Sequence, residues 1–104
     1  MTLKPVKLEP EANDELYAAV EWYEGQRTGL GAELWSAVRA ALDEVQRDPS
    51  SFARLSGLPD ELPARAAFVR KFPYKVVFLD LPVVVRVLAI AHVRRAPDYW
   101  SDRA

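Results

Sequence analysis

The residues best suited to chemistry lie together after the last apolar run of the chain. His92, Arg94, Arg95 and Tyr99 follow a run of valine, leucine, isoleucine and alanine that ends at Ala91. Arginine binds phosphate and carboxylate groups through a planar fork of donors. Histidine is the side chain whose ordinary pKa suits proton transfer near neutrality. This junction therefore predicts a surface that binds a polyanion or a partner protein.

Three further cations precede this junction. Arg70 and Lys71 stand directly before Phe72-Pro73, and Lys75 lies in the apolar run that follows. These cations could extend the same basic surface. Arg70 and Lys71 could instead protect an exposed sheet edge against aggregation, which is a common use of charge on edge strands.

The residues of the junction also have structural interpretations. His92 could hydrogen-bond a backbone group and orient the C-terminal segment, since one histidine without a clear acid partner is weak support for general base catalysis. Arg94 or Arg95 could form an ion pair with Asp98 or Asp102. If the last strand continued, the two arginines would point to opposite faces of the sheet.

The net charge of −1 at pH 7 conceals an asymmetry between the two halves of the chain. Residues 1–52 carry 5 basic and 10 acidic side chains, for a net charge of −5. Residues 53–104 carry 9 basic and 5 acidic side chains, for a net charge of +4. This distribution predicts either a basic surface built from the C-terminal half or acidic helices that neutralise a basic sheet.

The composition also excludes several kinds of protein. A chain of 104 residues predicts one domain, 1–104. With no cysteine and one histidine, disulfides and a protein-only metal centre are not expected, and no cofactor is predicted. No apolar run is long enough to span a membrane, and the first seven residues lack the apolar core of a signal peptide. We therefore expect a cytoplasmic domain.

The first half of the chain predicts a strand and a helical hairpin. A short strand is expected at 3–8. A helix begins at Pro10 and another runs over 31–47, with Asp48-Pro49 as its stop because a residue before proline avoids the helical region. Gly25 and Gly29-Leu30-Gly31 are expected to interrupt the first helix. The helical spacing of apolar residues predicts the two buried stripes Ala12, Leu16, Ala19, Val20, Tyr23 and Leu34, Val38, Ala41, Leu42, Val45.

The second half predicts three strands after a connector at 50–63. Apolar runs bounded by turn residues place the strands at 64–72, 74–79 and 83–91, with 80–82 as a hairpin turn. The last strand is apolar on both faces except at Arg86. We expect this arginine either to snorkel toward water or to pair with a helix acid such as Glu21 or Glu44. The predicted fold class is α+β, with the helical hairpin packed on one face of a small, mostly antiparallel sheet.

These segments together resemble the RelE/ParE superfamily of toxins from bacterial type II toxin–antitoxin systems, also known as plasmid stabilisation proteins. The resemblance covers almost the whole chain. It is carried by the order and spacing of Ala18-Ala19-Val20-Glu21-Trp22-Tyr23-Glu24, Leu30-Gly31, Asp48-Pro49, Arg70-Lys71-Phe72-Pro73-Tyr74-Lys75-Val76-Val77-Phe78 and Leu88-Ala89-Ile90-Ala91-His92-Val93-Arg94-Arg95-Ala96-Pro97-Asp98-Tyr99-Trp100.

The resemblance implies one of two activities. RelE-like members cut mRNA in the ribosomal decoding site, whereas ParE-like members bind and poison DNA gyrase. Both kinds are neutralised by a cognate antitoxin, and operator DNA is bound only through the complex with that antitoxin.

The resemblance also assigns roles to particular positions. Lys75 matches a family arginine on the middle strand, and Tyr99 matches the catalytic tyrosine. The paired lysines of RelE-like enzymes fall on Ala66 and Phe68. The arginine after the last strand falls on Val93, beside Arg94 and Arg95.

Two missing cations remove much of the charge that would stabilise RNA cleavage. We therefore expect a toxin closer to ParE than to RelE, whose target-binding residues are Arg70, Lys71, Lys75, His92, Arg94, Arg95 and Tyr99. A ribosome-dependent ribonuclease is the alternative, with Lys75, His92, Arg95 and Tyr99 as its candidate catalytic residues. A non-toxic, antitoxin-binding remnant is the third possibility.

Overall fold

The structure is a computed structural model that describes residues 3–104. It contains one four-stranded sheet and two helices. The strands are β1 (Val6–Leu8), β2 (Arg65–Phe68), β3 (Tyr74–Asp80) and β4 (Val85–His92), in the spatial order β1-β4-β3-β2. β1 runs parallel to β4, and the other pairs are antiparallel. The predicted α+β class and mostly antiparallel sheet are confirmed.

The helical hairpin consists of α1 (Pro10–Gln26) and α2 (Leu30–Arg47). Pro10 occupies the first turn of α1, where its missing N–H costs no hydrogen bond. α2 ends at the residue before Asp48-Pro49, as predicted. The two apolar stripes face the sheet and form the core on that side of it. All ten predicted positions belong to this core, although Val20, Tyr23 and Leu42 are only partly buried.

The two helices approach closely at Gly31. A Cβ at this position would lie 2.7 Å from the carbonyl oxygen of Val20 on α1, so no larger side chain fits without a shift of the backbone. The N–H of Gly31 donates to Glu24 Oε1 at 3.0 Å, which joins the helices at the turn. Gly29 adopts φ 93° and begins α2. Gly25 remains inside α1, so the prediction that it interrupts the helix is wrong.

The second face of the sheet carries a separate core. The indole of Trp100 is fully buried there against Val77, Leu88 and Ala91. Leu55, Leu58 and Leu62 of the connector cover the same face. The C-terminal segment and the connector therefore form a thin third layer, and β4 is buried on both faces as its composition predicts.

Several predicted boundaries are wrong in a systematic way. β2 ends at Phe68, and the chain turns over 69–73, where Lys71 adopts a left-handed φ of 71°. The loop between β3 and β4 covers 81–84, closed by the N–H of Leu81 donating to Val84 O. β1 is also shorter than predicted, because only Val6–Leu8 finds a partner strand. The predicted β2 and β4 therefore extended into the turns that bound them.

Arg86 does not pair with Glu21 or Glu44, so that prediction is wrong. Its Nε donates to Glu9 Oε1 at 2.6 Å, and its Nη2 donates to the carbonyl of Arg103 at 2.7 Å. Glu9 is adjacent because its N–H donates to Val87 O at the end of β1.

Among the described residues, no helix is long and apolar enough to cross a membrane.

The close approach of the helices gives a test with a built-in control. Gly31→Ala should destabilise the fold by about 1–3 kcal/mol, because the methyl group meets backbone rather than a flexible side chain. Gly25→Ala should stabilise it by about 0.5–1 kcal/mol, because Gly25 lies in a helix with open space around it. Urea unfolding midpoints measure both effects, and equal midpoints for the two variants would contradict the packing described.

Candidate functional site

The site is built on a part of β4 that β1 does not reach. β1 pairs with β4 only at Val85, Arg86 and Val87. The next residue, Leu88, is the extra residue of a β-bulge, because Val77 faces Ala89 and Phe78 faces Val87 in the pairing with β3. Beyond this bulge, the outer edge of β4 needs hydrogen-bond partners from elsewhere, since unpaired buried backbone groups are costly.

Glu15 on α1 and Arg103 near the C-terminus supply these partners. Glu15 Oε1 accepts the N–H of Ile90 at 3.1 Å. Arg103 Nη1 donates to the carbonyl of Leu88 at 3.0 Å and to Glu15 Oε1 at 2.9 Å. The Glu15 and Arg103 side chains are 15% and 14% exposed, so this ion pair is poorly screened by water. We call Glu15, Arg95, Tyr99 and Arg103 the Glu15 cluster.

Tyr99 contacts both arginines of the Glu15 cluster. Its hydroxyl donates to Glu15 Oε2 at 2.6 Å. The guanidinium carbon of Arg95 lies 3.7 Å from the ring centroid of Tyr99, and that of Arg103 lies 5.1 Å away. Burial, followed by the hydrogen bond to Glu15, raises the pKa of Tyr99 well above its ordinary value. The hydroxyl therefore stays protonated and engaged as a donor.

Arg95 belongs to this cluster rather than to an ion pair with Asp98 or Asp102. Its Nη1 lies 3.3 Å from Glu15 Oε2, while its side chain remains 55% exposed. Arg94 is exposed, and its N–H donates to His92 Nδ1 at 3.1 Å. β4 ends at His92, so the arginines stand on a turn and not on opposite faces of a continued strand.

His92 lies at the end of an aromatic row on the helix side of the sheet. Its ring meets Tyr74 edge-on at 5.3 Å, and Tyr74 meets Tyr23 at 6.3 Å. Trp22, 60% exposed, completes a cleft of about 300 Å³ with these three residues. A neighbouring cleft of about 250 Å³ joins His92 to Glu15 and Arg95. His92 and the Glu15 cluster therefore border one surface.

Lys75 lies elsewhere. It follows Tyr74 on β3 and so points to the opposite face of the sheet, into a cleft of about 240 Å³. That cleft is lined by the connector and the C-terminal segment, at Leu55, Ser56, Gly57, Leu58, Pro97 and Asp98. Lys75 therefore lines a different cleft from the one that His92 and Arg95 border, although it lies beneath the segment that carries Tyr99.

The remaining predicted residues are separated again. Arg70 and Lys71 lie at the turn between β2 and β3, beside α2. Ala66 and Phe68 lie on the edge strand β2, and Phe68 is 71% exposed. The predicted residues thus occupy three surfaces. Within residues 3–104, no group of histidine and acidic side chains could hold a metal ion.

Sequence reasoning missed Glu15 and Arg103. Glu15 precedes Leu16 and lies three residues after Ala12 and four before Ala19, so it borders the buried stripe of α1. A carboxylate at that border signals a half-buried partner for a cation. Arg103 carried no such signal, because its partners lie on β4 and α1, 15 and 88 residues away in sequence.

Comparisons with known proteins identify the fold. No protein-family model and no curated protein matches the sequence. A chain of the chromosomal ParDE toxin–antitoxin system of P. aeruginosa is similar in structure, with a TM-score of 0.74 and 15% sequence identity over 86% of this chain and 96% of that one.

An arginine-to-alanine double mutant of E. coli toxin RelE in the free state is also similar, with a TM-score of 0.66 and 20% identity over 94% of this chain and 92% of that one. The chain therefore has the RelE/ParE toxin fold. This confirms, at the level of the fold, the resemblance stated from the sequence.

The raised pKa of Tyr99 generates a prediction about alkaline stability. Because the folded pKa exceeds the ordinary tyrosine value of about 10, the folded state keeps a proton that the unfolded chain loses. Stability is therefore complete below about pH 10 and declines above it. Tyr99→Phe should cost about 1 kcal/mol at neutral pH and should flatten this alkaline decline, as measured by urea unfolding between neutral pH and pH 11.

Tyr17→Phe is the matched control, because the Tyr17 ring is 57% exposed. It should keep both the neutral stability and the alkaline decline of the original chain. An unchanged alkaline decline in Tyr99→Phe would contradict the role given to this hydroxyl. Tyr74, whose pKa is also raised by burial, contributes the decline that remains.

Proposed function

We propose that this chain is the toxin of a bacterial type II toxin–antitoxin system and that it arrests growth by binding DNA gyrase. The fold is shared over most of its length with a chain of a ParDE system, which supports the class. The Tyr99 hydroxyl is the observation that favours target binding over RNA cleavage, because it donates a hydrogen bond to Glu15 at 2.6 Å.

RNA cleavage through the 2′-hydroxyl needs a proton acceptor, a proton donor and positive charge on the phosphate at one place. Tyr99 is held as a donor to a carboxylate, which leaves its proton unavailable to a leaving group. Lys75 faces a different cleft from His92 and Arg95. Alanine and phenylalanine occupy the two positions where RelE-like enzymes place lysines. This arrangement favours a surface that binds over one that cleaves.

The target-binding residues under this proposal are the partly buried His92 and the exposed Arg94 and Arg95, which lie around the end of β4. A cognate antitoxin is the proposed partner that neutralises the toxin, and operator DNA is bound through the complex with it. Arg94 is the most informative single residue, because its side chain is exposed. Among residues 3–104, only its backbone N–H forms a hydrogen bond, to His92 Nδ1, so its side chain supports no part of the fold.

A ribosome-dependent ribonuclease is the second candidate. One observation favours it: the fold is shared with E. coli toxin RelE over 94% of this chain. His92 and Arg95 also border one cleft, so a base and a phosphate-binding cation could act together there. A non-toxic, antitoxin-binding remnant is the third candidate.

The decisive experiment combines induced expression of the chain in bacteria with two assays on the purified protein. The gyrase proposal predicts growth arrest and loss of DNA supercoiling, with no new 5′ ends in ribosome-bound mRNA. Arg94→Ala should weaken gyrase inhibition about 3–10-fold, as expected for one exposed cation at an interface. Arg39→Ala, which removes an exposed cation on α2, should have no effect.

The other outcomes are equally distinct. Ribosome-dependent mRNA cleavage with supercoiling intact would replace gyrase binding with the ribonuclease. A folded protein that neither slows growth nor acts in either assay would identify the non-toxic remnant.

A further inference from the structure

Two adjoining clefts between α1 and the end of β4 have mainly aromatic walls. Trp22, Tyr74 and His92 line both of them. Tyr23 completes the cleft of about 300 Å³, and Arg95 lies at the one of about 250 Å³. We call the two together the Trp22 cleft. Small-molecule sites in proteins occupy about 300–1000 Å³ and combine aromatic walls with a few polar groups, so this cleft has the size and the walls of a ligand site.

Trp22 presents an aromatic face that the fold does not use. It is 60% exposed, and it meets Tyr23 edge-on at 4.9 Å with an angle of 87° between the rings. An edge-on contact covers at most one face of a ring, so at least one face of the indole is not covered by Tyr23. A helical side chain leans over the residues three and four positions before it. Here these residues are Ala19 and Ala18, whose small side chains leave open space in the cleft.

His92 offers a hydrogen-bond donor to the same cleft. Its Nδ1 accepts the N–H of Arg94 at 3.1 Å. A neutral imidazole has one N–H group, which must therefore lie on Nε2. Within residues 3–104, this Nε2 has no hydrogen-bond partner. The ring is held edge-on to Tyr74 at 5.3 Å, so the donor is positioned before a ligand arrives.

Arg95 adds positive charge at the rim of the cleft. Its guanidinium carbon lies 3.7 Å from the ring centroid of Tyr99, and its Nη1 lies 3.3 Å from Glu15 Oε2. These two contacts fix the plane of the guanidinium. The side chain remains 55% exposed, and its Nε and Nη2 donate to no residue in the range 3–104. A guanidinium held in this way is suited to binding a phosphate group.

The carboxylate at the cleft is not free to bind a ligand. Both oxygens of Glu15 already accept hydrogen bonds from β4 and from the other members of the Glu15 cluster. A cationic ligand would therefore meet Arg95 without a free carboxylate to neutralise it. A wholly apolar ligand would leave the donors of His92 and Arg95 without partners, which is costly. The cleft therefore suits a flat aromatic ring that carries an anionic group.

We propose that the Trp22 cleft binds a nucleoside monophosphate unit, with the base stacked on Trp22 and the phosphate bound by Arg95. The Nε2–H of His92 donates to an acceptor of the same unit. Every base has a face that can stack on an aromatic side chain, so the cleft selects this class of ligand rather than one base. A free nucleotide and a nucleotide within a single strand present the same base and phosphate. The inference goes beyond the proposed function, because it does not require gyrase to be the target.

The test measures binding of adenosine monophosphate to the intact chain by isothermal titration calorimetry. Adenosine, which lacks the phosphate, and ribose phosphate, which lacks the base, are the matched half-ligands. Each should bind at least about tenfold more weakly than the monophosphate, because each loses one of the two principal contacts. The difference between the monophosphate and adenosine should shrink as salt rises.

Variants assign the binding to the cleft. Trp22→Leu should weaken binding of the monophosphate about tenfold and should unfold at the same urea concentration as the original chain. His92→Phe keeps a ring beside Tyr74 but removes the donor, so it should weaken binding about three- to fivefold. Trp35→Leu is the matched control, because Trp35 is an exposed tryptophan on α2 that does not line the cleft. It should leave the affinity unchanged.

A single-stranded oligonucleotide of about six deoxyadenosines distinguishes the two sources of the ligand. Binding that is tighter than that of the monophosphate and falls steeply with salt would identify a strand as the source. Equal affinity of the two would identify the free nucleotide. Either result supports the cleft as the binding site.

Several results would overturn the inference. These are no saturable binding of the monophosphate, equal affinity for adenosine and the monophosphate, or the same loss of affinity in Trp35→Leu as in Trp22→Leu. An acidic peptide with a central tryptophan that binds more tightly than the monophosphate would also overturn it, by making a protein segment the occupant. None of these measurements uses gyrase or ribosomes, so this inference and the proposed function fail separately.

Discussion

The hydrogen-bonding requirement at the outer edge of β4 is the constraint on which the rest of this structure depends. β1 is too short to pair with β4 beyond Val87. Leu88 and Ile90 are buried, so a free carbonyl or N–H there would cost about 1–3 kcal/mol each. Glu15 on α1 accepts the N–H of Ile90, and Arg103 in the C-terminal segment donates to the carbonyl of Leu88. Neither backbone group is therefore left unpaired. Their ion pair fastens the last residues of the chain to the centre of the sheet.

This attachment explains how the second face of the sheet is covered. The segment that carries Arg103 also buries Trp100 against Val77 and Leu88. The same segment brings the Tyr99 ring close to two guanidinium groups. Tyr99, which the sequence analysis expected to bind a target or to act in catalysis, is thus part of the attachment. The remaining exposed side chains around the end of β4 are free to bind, which is why binding is the function that we propose.

The elements of the fold could be predicted from the sequence because local rules decide them. Helical spacing identified both stripes of the hairpin, and apolar runs bounded by turn residues identified β3 and β4 to within two residues. The predicted end of β2 is wrong because the chain turns at Val69-Arg70-Lys71-Phe72 instead of extending. The left-handed φ of Lys71 has no local signal, since lysine is an unfavourable residue there.

The site could be predicted less well, because its contacts are long-range. Glu15 and Arg103 are separated by 88 residues, and nothing near Arg103 in sequence indicates its partners. The same difficulty explains the wrong partners given to Arg86, whose contacts are Glu9 and the Arg103 carbonyl. Adjacent residues can also diverge: Tyr74 and Lys75 are neighbours on β3, yet alternation sends them to opposite faces of the sheet.

Native-state hydrogen exchange of the Ile90 amide tests the central claim most directly. If Glu15 holds this N–H, the amide should exchange only through global unfolding, as slowly as the buried amides shared by β3 and β4. Glu15→Ala should lower its protection selectively, whereas Glu33→Ala, which breaks an exposed ion pair, should not. Fast exchange of Ile90 in the original chain, or equal protection in Glu15→Ala, would contradict the attachment on which this account depends.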